Sequence, residues 1–125
     1  MSEQELRPHV WVGHVLLETD RLPETAEFMR KLGLRPILQR PEVAVLELRG
    51  GTHLVLITRR EVTAGNAPFD LMVEDLSETH KRFTELGLAP TAIEKVSPEH
   101  EGFTVQEPAG HVIMFYSNHV SGGPV

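Results

Sequence analysis

The chain has 125 residues, no cysteine and a formal charge of −6, from 12 lysines and arginines against 18 aspartates and glutamates. That length supports one small domain, or two minimal modules sharing a core. The composition excludes a disulfide framework, a thiolate nucleophile and a cysteine-ligated metal, and no Lys/Arg cluster offers the cationic surface that a nucleic-acid partner requires.

Residues 1–8 are polar and read as a frayed start. Met1–Arg7 lacks a basic head followed by an apolar stretch, so no signal peptide is expected. No apolar run approaches the roughly 20 residues of a membrane span. The expectation is a cytoplasmic protein with no membrane partner.

His9 to Glu18 (HVWVGHVLLE) is rich in β-branched and aromatic residues and too short for a helix, so it is predicted as a strand. Alternation then puts Trp11, Gly13, Val15 and Leu17 on one face and Val12, His14, Leu16 and Glu18 on the other. Asp20 reads as the N-cap of a helix from Leu22 to Leu32, with Pro23 and Glu24 in its first turn. Leu22, Ala26, Met29 and Leu32 form its buried stripe, and Gly33 its left-handed C-cap. Strands are predicted at Arg35–Gln39, Glu42–Arg49 and Thr52–Thr58, the last two joined by a turn at Arg49-Gly50-Gly51.

Arg59 onward is a polar linker containing Gly65-Asn66. Phe69–Glu74 opens a second series: a strand, a helix capped by Asp75 and ended by Gly87, then strands at Thr91–Val96, Gly102–Glu107 and His111–Ser117. Leu76, Thr79, Phe83 and Leu86 are the inward residues of this helix. The turn before the last strand is Glu107-Pro-Ala-Gly110. The order is strand, helix, three strands, used twice.

The duplication is visible in the letters. Leu22–Pro36 reappears as Leu76–Pro90, displaced by 54 positions without a gap, with Leu22/Leu76, Glu24/Glu78, Thr25/Thr79, Leu32/Leu86, Gly33/Gly87, Leu34/Leu88 and Pro36/Pro90 identical. A period near half the chain means one duplicated module, not a solenoid. The organisation expected is residues 1–8 frayed, 9–58 a first βαβββ module, 59–67 a linker, 68–118 a second βαβββ module and 119–125 a tail.

The doubled module, the Leu-Gly-Leu helix endings, Val73-Glu-Asp-Leu76 and the closing Glu107-Pro-Ala-Gly-His-Val-Ile-Met-Phe-Tyr116 together resemble the vicinal oxygen chelate superfamily, which includes glyoxalase I, bleomycin-resistance proteins and extradiol dioxygenases. The resemblance spans roughly residues 10 to 118. It implies an α+β fold in which two tandem βαβββ modules form a curved mixed sheet cup. It also implies a homodimer, because each sheet leaves edges and apolar surface to cover. Metal-dependent members place four ligands at equivalent points on the first and last strands of each module. By the resemblance and the repeat those points are His14, Val55, Pro68 and Met114. Proline and valine bind no metal and a thioether prefers soft ions, so neither a catalytic metal nor any other cofactor is expected.

What remains is a cup for a small-molecule ligand, with no catalytic residue assigned. Strand parity makes His14, Glu47, His53, Val55, Asp70, Gln106, Met114 and Tyr116 the candidate ligand-binding residues, alongside Val12, Leu16, Met72 and Val112. The alternative is a lyase, isomerase or dioxygenase-type enzyme with a divalent metal displaced onto His14, His53 and Glu47, or a metal-free enzyme using His14 as general base. His111, by parity, points away from the cup and into the turn. His9, His80, His100 and His119 read as surface.

Overall fold

The computed structural model describes residues 7–117; the expectations for residues 1–6, His119 and the 119–125 tail lie outside this range. Eight strands and two helices follow one another as β1 (His14–Thr19), α1 (Leu22–Leu32), β2 (Arg35–Gln39), β3 (Val43–Glu47) and β4 (His53–Thr58), then β5 (Leu71–Val73), α2 (Leu76–Glu85), β6 (Glu94–Ser97), β7 (His100–Gln106) and β8 (Val112–Ser117). They form two four-stranded mixed sheets, ordered β1-β4-β3-β2 and β5-β8-β7-β6. In each, the first strand runs parallel to the last and the middle hairpins are antiparallel. The fold is α+β with two tandem βαβββ modules. None of the helices in the described residues is long and apolar enough to cross a membrane.

The two helices end identically. Gly33 and Gly87 adopt φ of +113° and +76°, a conformation that costs glycine little. In each copy the next leucine closes the turn, Leu34 N–H donating to Met29 C=O at 3.2 Å and Leu88 N–H to Phe83 C=O at 3.0 Å. The starts differ. Asp75 caps α2, its carboxylate accepting from Glu78 N–H at 2.9 Å. Asp20 does not cap α1: Arg21 holds the cap position without a side-chain bond, and the Thr19 hydroxyl accepts from Arg21 N–H instead.

Other expectations need correction. His9–Gly13 is not strand, because β4, the one partner of β1 among the described residues, pairs no further back than His53 opposite His14. Leu86 is 43% exposed and does not belong to the inner stripe of α2. Strand β6 begins at Glu94, later than Thr91, and β7 begins at His100, earlier than Gly102.

Helix α1 packs on β3 and β4, and α2 on β8. One face of each sheet supplies the core. Leu17, Leu46, Leu54 and Leu56 meet Met29 and Leu32 in the first module, and Phe103, Val105, Ile113 and Phe115 meet Phe83 in the second. A polar bridge joins the modules. Glu107, 2% exposed in the β7–β8 turn, accepts through Oε2 from the Thr25 hydroxyl of α1 at 2.9 Å and from Ala109 N–H at 3.0 Å. Its Oε1 accepts from His111 N–H at 3.0 Å and from His111 Nδ1 at 2.6 Å. Thr19 shares a 2.8 Å bond with the Thr25 hydroxyl. A carboxylate this enclosed persists because its oxygens are occupied by donors.

Candidate functional site

The opposite face of each sheet carries no helix, and the strand register arranges its side chains in rows. On the first sheet Arg35 stands opposite Glu47, Glu47 opposite His53, and His53 opposite His14. One polar row therefore crosses all four strands, β2-β3-β4-β1. Arg35 pairs with one oxygen of Glu47, and the other lies 3.4 Å from His53 Nε2. The His14 and His53 rings meet edge to face, 5.8 Å between centroids. The next row, Val45, Val55 and Leu16, is apolar. Side chains at 32% exposure for His53 and 26% for Glu47 leave the row half open to solvent.

The hydrogen bond from Arg35 holds the Glu47 carboxyl below its ordinary range; burial opposes this shift and His53 adds to it. An ionised carboxylate only accepts, so His53 Nε2 is the donor in this contact. Arg35→Met is expected to raise the Glu47 pKa toward 4.5, readable by NMR titration of its side-chain carbonyl. Because the folded pKa is depressed, the link stabilises above the unfolded value and is lost as pH falls through the folded one. In Arg35→Met that acid loss shrinks, leaving the smaller His53 contribution.

On the second sheet the equivalent face carries His100, Gly102, Thr104 and Gln106 from β7, with Val112, Met114 and Tyr116 from β8. Tyr116 lies opposite Gly102. A Cβ on Gly102 would come within 2.7 Å of the Phe115 carbonyl oxygen and 3.3 Å of the Tyr116 ring, so glycine admits this close approach. His100 packs edge-on to Tyr116 at 5.6 Å and its Nδ1 lies 2.6 Å from the Ser97 hydroxyl. The Gln106 amide donates to Gly110 C=O at 3.3 Å, and Asp70 is exposed just before β5.

The predicted residues thus fall into two groups, with Asp70 apart: His14, Glu47, His53 and Val55 on the first sheet, and Gln106, Met114 and Tyr116 on the second. Two residues were missed. Arg35, which anchors Glu47, looks like an ordinary surface charge until the register is known. His100 shares i, i+2 parity with Gly102, Thr104 and Gln106, a signal lost by starting the strand at Gly102. His111 is buried in the Glu107 turn, and His80 is half-buried, its Nε2 bonded to Thr91 C=O at 2.9 Å.

The metal-ligand equivalence also needs correction. Asn66, not Pro68, bridges Val112, just as His14 pairs with His53. The backbone bonds match: His53 N–H to Gly13 C=O at 2.9 Å, and Val112 N–H to Gly65 C=O at 2.8 Å. Between that bridge and β5 the chain takes five steps, Asn66 to Leu71, against three on β8, Val112 to Phe115. The gapless offset fails in this detour. With Asn66 in place of Pro68, the set His14, Val55, Asn66 and Met114 still does not suit a divalent ion. Among the described residues, no group of three or more His, Asp or Glu side chains is placed to hold a metal.

A model of the Glyoxalase/Bleomycin resistance protein/Dioxygenase superfamily matches residues 11–115. No curated protein matches the chain by sequence. Among solved structures, the chain is similar to a lactoylglutathione lyase from Agrobacterium tumefaciens, with TM-score 0.76 and 20% identity over 94% of this chain and 100% of that one. It is similar to a bleomycin resistance determinant encoded on the transposon Tn5, with TM-score 0.73 and 16% identity over 89% and 100%. It is also similar to a bleomycin-binding protein complexed with bleomycin, with TM-score 0.68 and 16% identity over 87% and 98%. At these identities the likeness is one of fold.

Proposed function

We propose that this chain, which belongs to the glyoxalase/bleomycin resistance protein/dioxygenase superfamily, binds a small organic molecule on its helix-free sheet faces without the metal of its catalytic relatives. The observation that carries this reading is the layout of the first sheet: a half-open polar row, Arg35, Glu47, His53 and His14, beside an apolar row, Leu16, Val45 and Val55. Such a face offers an apolar bed with a few fixed polar anchors, as ligand sites do. Gln106, Met114 and Tyr116 supply the second wall and Asp70 the rim. We take the protein to be a cytoplasmic homodimer, since β2 and β6 are left as sheet edges and carry Ile37 and Val96, 48% and 42% exposed. The structure of a bleomycin-binding protein with bleomycin, on the same fold, supports small-molecule binding here.

The alternative, an enzyme of the family, is favoured by one detail, the Glu47–His53 contact, which orients an imidazole as a general base requires. Metal content separates the two. Protein purified without a metal-binding tag is expected to hold no stoichiometric divalent ion. An ion present at one per chain and lost in His14→Ala and His53→Ala would overturn the metal-free reading. A small-molecule screen followed by the His14, His53 and Tyr116 ring resonances is expected to find binders, with Leu16→Arg weakening them about tenfold through the lost apolar contact. A screen in which none of these resonances moves would count against ligand binding on this face.

A further inference from the structure

We propose a second ligand site, in the cleft between the two modules, taking a molecule with an aromatic or aliphatic body and one cationic head such as a primary amine. The cleft is about 800 Å³, within the range of small-molecule pockets. It borders the site described above, sharing Glu47 and Asp70 with it, but its floor is a different face. Val15, Leu71 and Val73, all half-buried, come from the core side of their strands, opposite in parity to His14 and Met72. The cleft therefore uncovers core-type apolar wall where the edge strands β1 and β5 belong to separate sheets.

Trp11 and Met72, 73% and 53% exposed, line it as well. Its border is fastened twice. The Trp11 indole N–H donates to Gly50 C=O at 3.1 Å, and Arg49 of the β3–β4 turn pairs with Glu74 of the second module at 2.8 Å. Each fastening needs only side chains to let go for a ligand to enter.

The charge of the head follows from which carboxylates are already satisfied. Of the three in the lining, Glu47 is held by Arg35 and His53, and Glu74 by Arg49. Asp70 has no hydrogen-bond or ion-pair partner among the described residues. It stands beside an apolar cleft in a chain of net charge −6, an arrangement that favours a cation. Arg7 on the N-terminal segment also lines the cleft, so an anion must be tested against the cation.

Trp11 is the only tryptophan, so its fluorescence reports this cleft. Titration with phenylbutylamine, phenylbutanol and phenylbutyrate compares one body with three heads. Saturable Trp11 responses are expected, the amine binding about threefold tighter than the alcohol, as for an exposed ion pair, and the acid weakest. Asp70→Asn should remove the advantage of the amine. Met72→Arg, at an exposed position that keeps the fold, should abolish the response with an unchanged melting temperature. An amine no tighter than the alcohol, or an acid tightest of all, overturns the cationic head. Movement of the His14 and His53 resonances without a Trp11 response overturns the cleft while leaving the helix-free face as the binding site. Silence in both probes overturns the cleft site outright.

Discussion

Glu107→Ala is expected to destabilise the folded chain by about 3 kcal/mol or more, because it strips the acceptor from several buried donors at about 1–3 kcal/mol for each one left unsatisfied. Every atom left behind is worse off. His111, 6% exposed, keeps an imidazole and an N–H with no acceptor, and the Thr25 hydroxyl loses its partner across the module boundary. Thr25→Val removes a single neutral donor and should cost about 1 kcal/mol. Urea unfolding of the two single variants and the double variant gives the coupling between modules directly. Additive losses would mean that the 2.9 Å contact between Thr25 and Glu107 carries no energy of its own. A Glu107→Ala loss below about 1 kcal/mol would mean that water or a rearranged His111 replaces the carboxylate.

Phe83→Ala should cost about 3–5 kcal/mol for a different reason. The ring is 1% exposed and stands edge-on to both Phe103 and Phe115, at centroid distances of 5.9 and 5.2 Å, while those two stack on each other at 5.3 Å. Removing the apex of this triangle leaves a cavity that two planar rings on paired strands cannot close. Strands β7 and β8 carry Gln106, Met114 and Tyr116 on their other face, so loss of this support should also loosen the second wall of the proposed site. Leu86→Ala, three positions on and 43% exposed, serves as the control and should change stability by less than about 0.5 kcal/mol. Equal losses in the two variants, at unchanged denaturant slope, would contradict the packing described.

The duplicated helix made most of the fold legible. Its shared Leu-Gly-Leu ending encodes the same capping bonds twice, so the copies could be aligned from letters alone and the order of elements along the chain read off between them. Strand parity did the same for the first sheet, where His14, Glu47, His53 and Val55 fall on one face as the alternation requires. What escaped was decided by pairing between distant segments. Nothing local tells His9–Gly13 that β4 ends its ladder at His53. Nor does anything local tell residues 67–70 to bow out between Asn66 and Leu71. The polar stretch His100-Glu101-Gly102 has poor strand propensity, and pairing with β6 and β8 overrides it. Arg35 became part of the row only once register set it opposite Glu47.

The bond between Thr25 and Glu107 also bears on how the two halves have diverged. The β3–β4 and β7–β8 turns superpose in their bonding, Leu48 N–H to Thr52 C=O matching Glu107 N–H to His111 C=O. Leu48 therefore stands where Glu107 does. Likewise Thr79 stands where Thr25 does, but its hydroxyl donates to Asp75 C=O of its own helix at 2.7 Å. Both copies carry the threonine, but only the second carries the acid, and it is met by the threonine of the first. The halves are no longer interchangeable parts: a protein built from two first modules would bring Thr25 against a leucine, and one built from two second modules would bury a glutamate against a threonine already committed elsewhere. Such chimeras should assemble poorly although each retains the hydrophobic pattern of its parent.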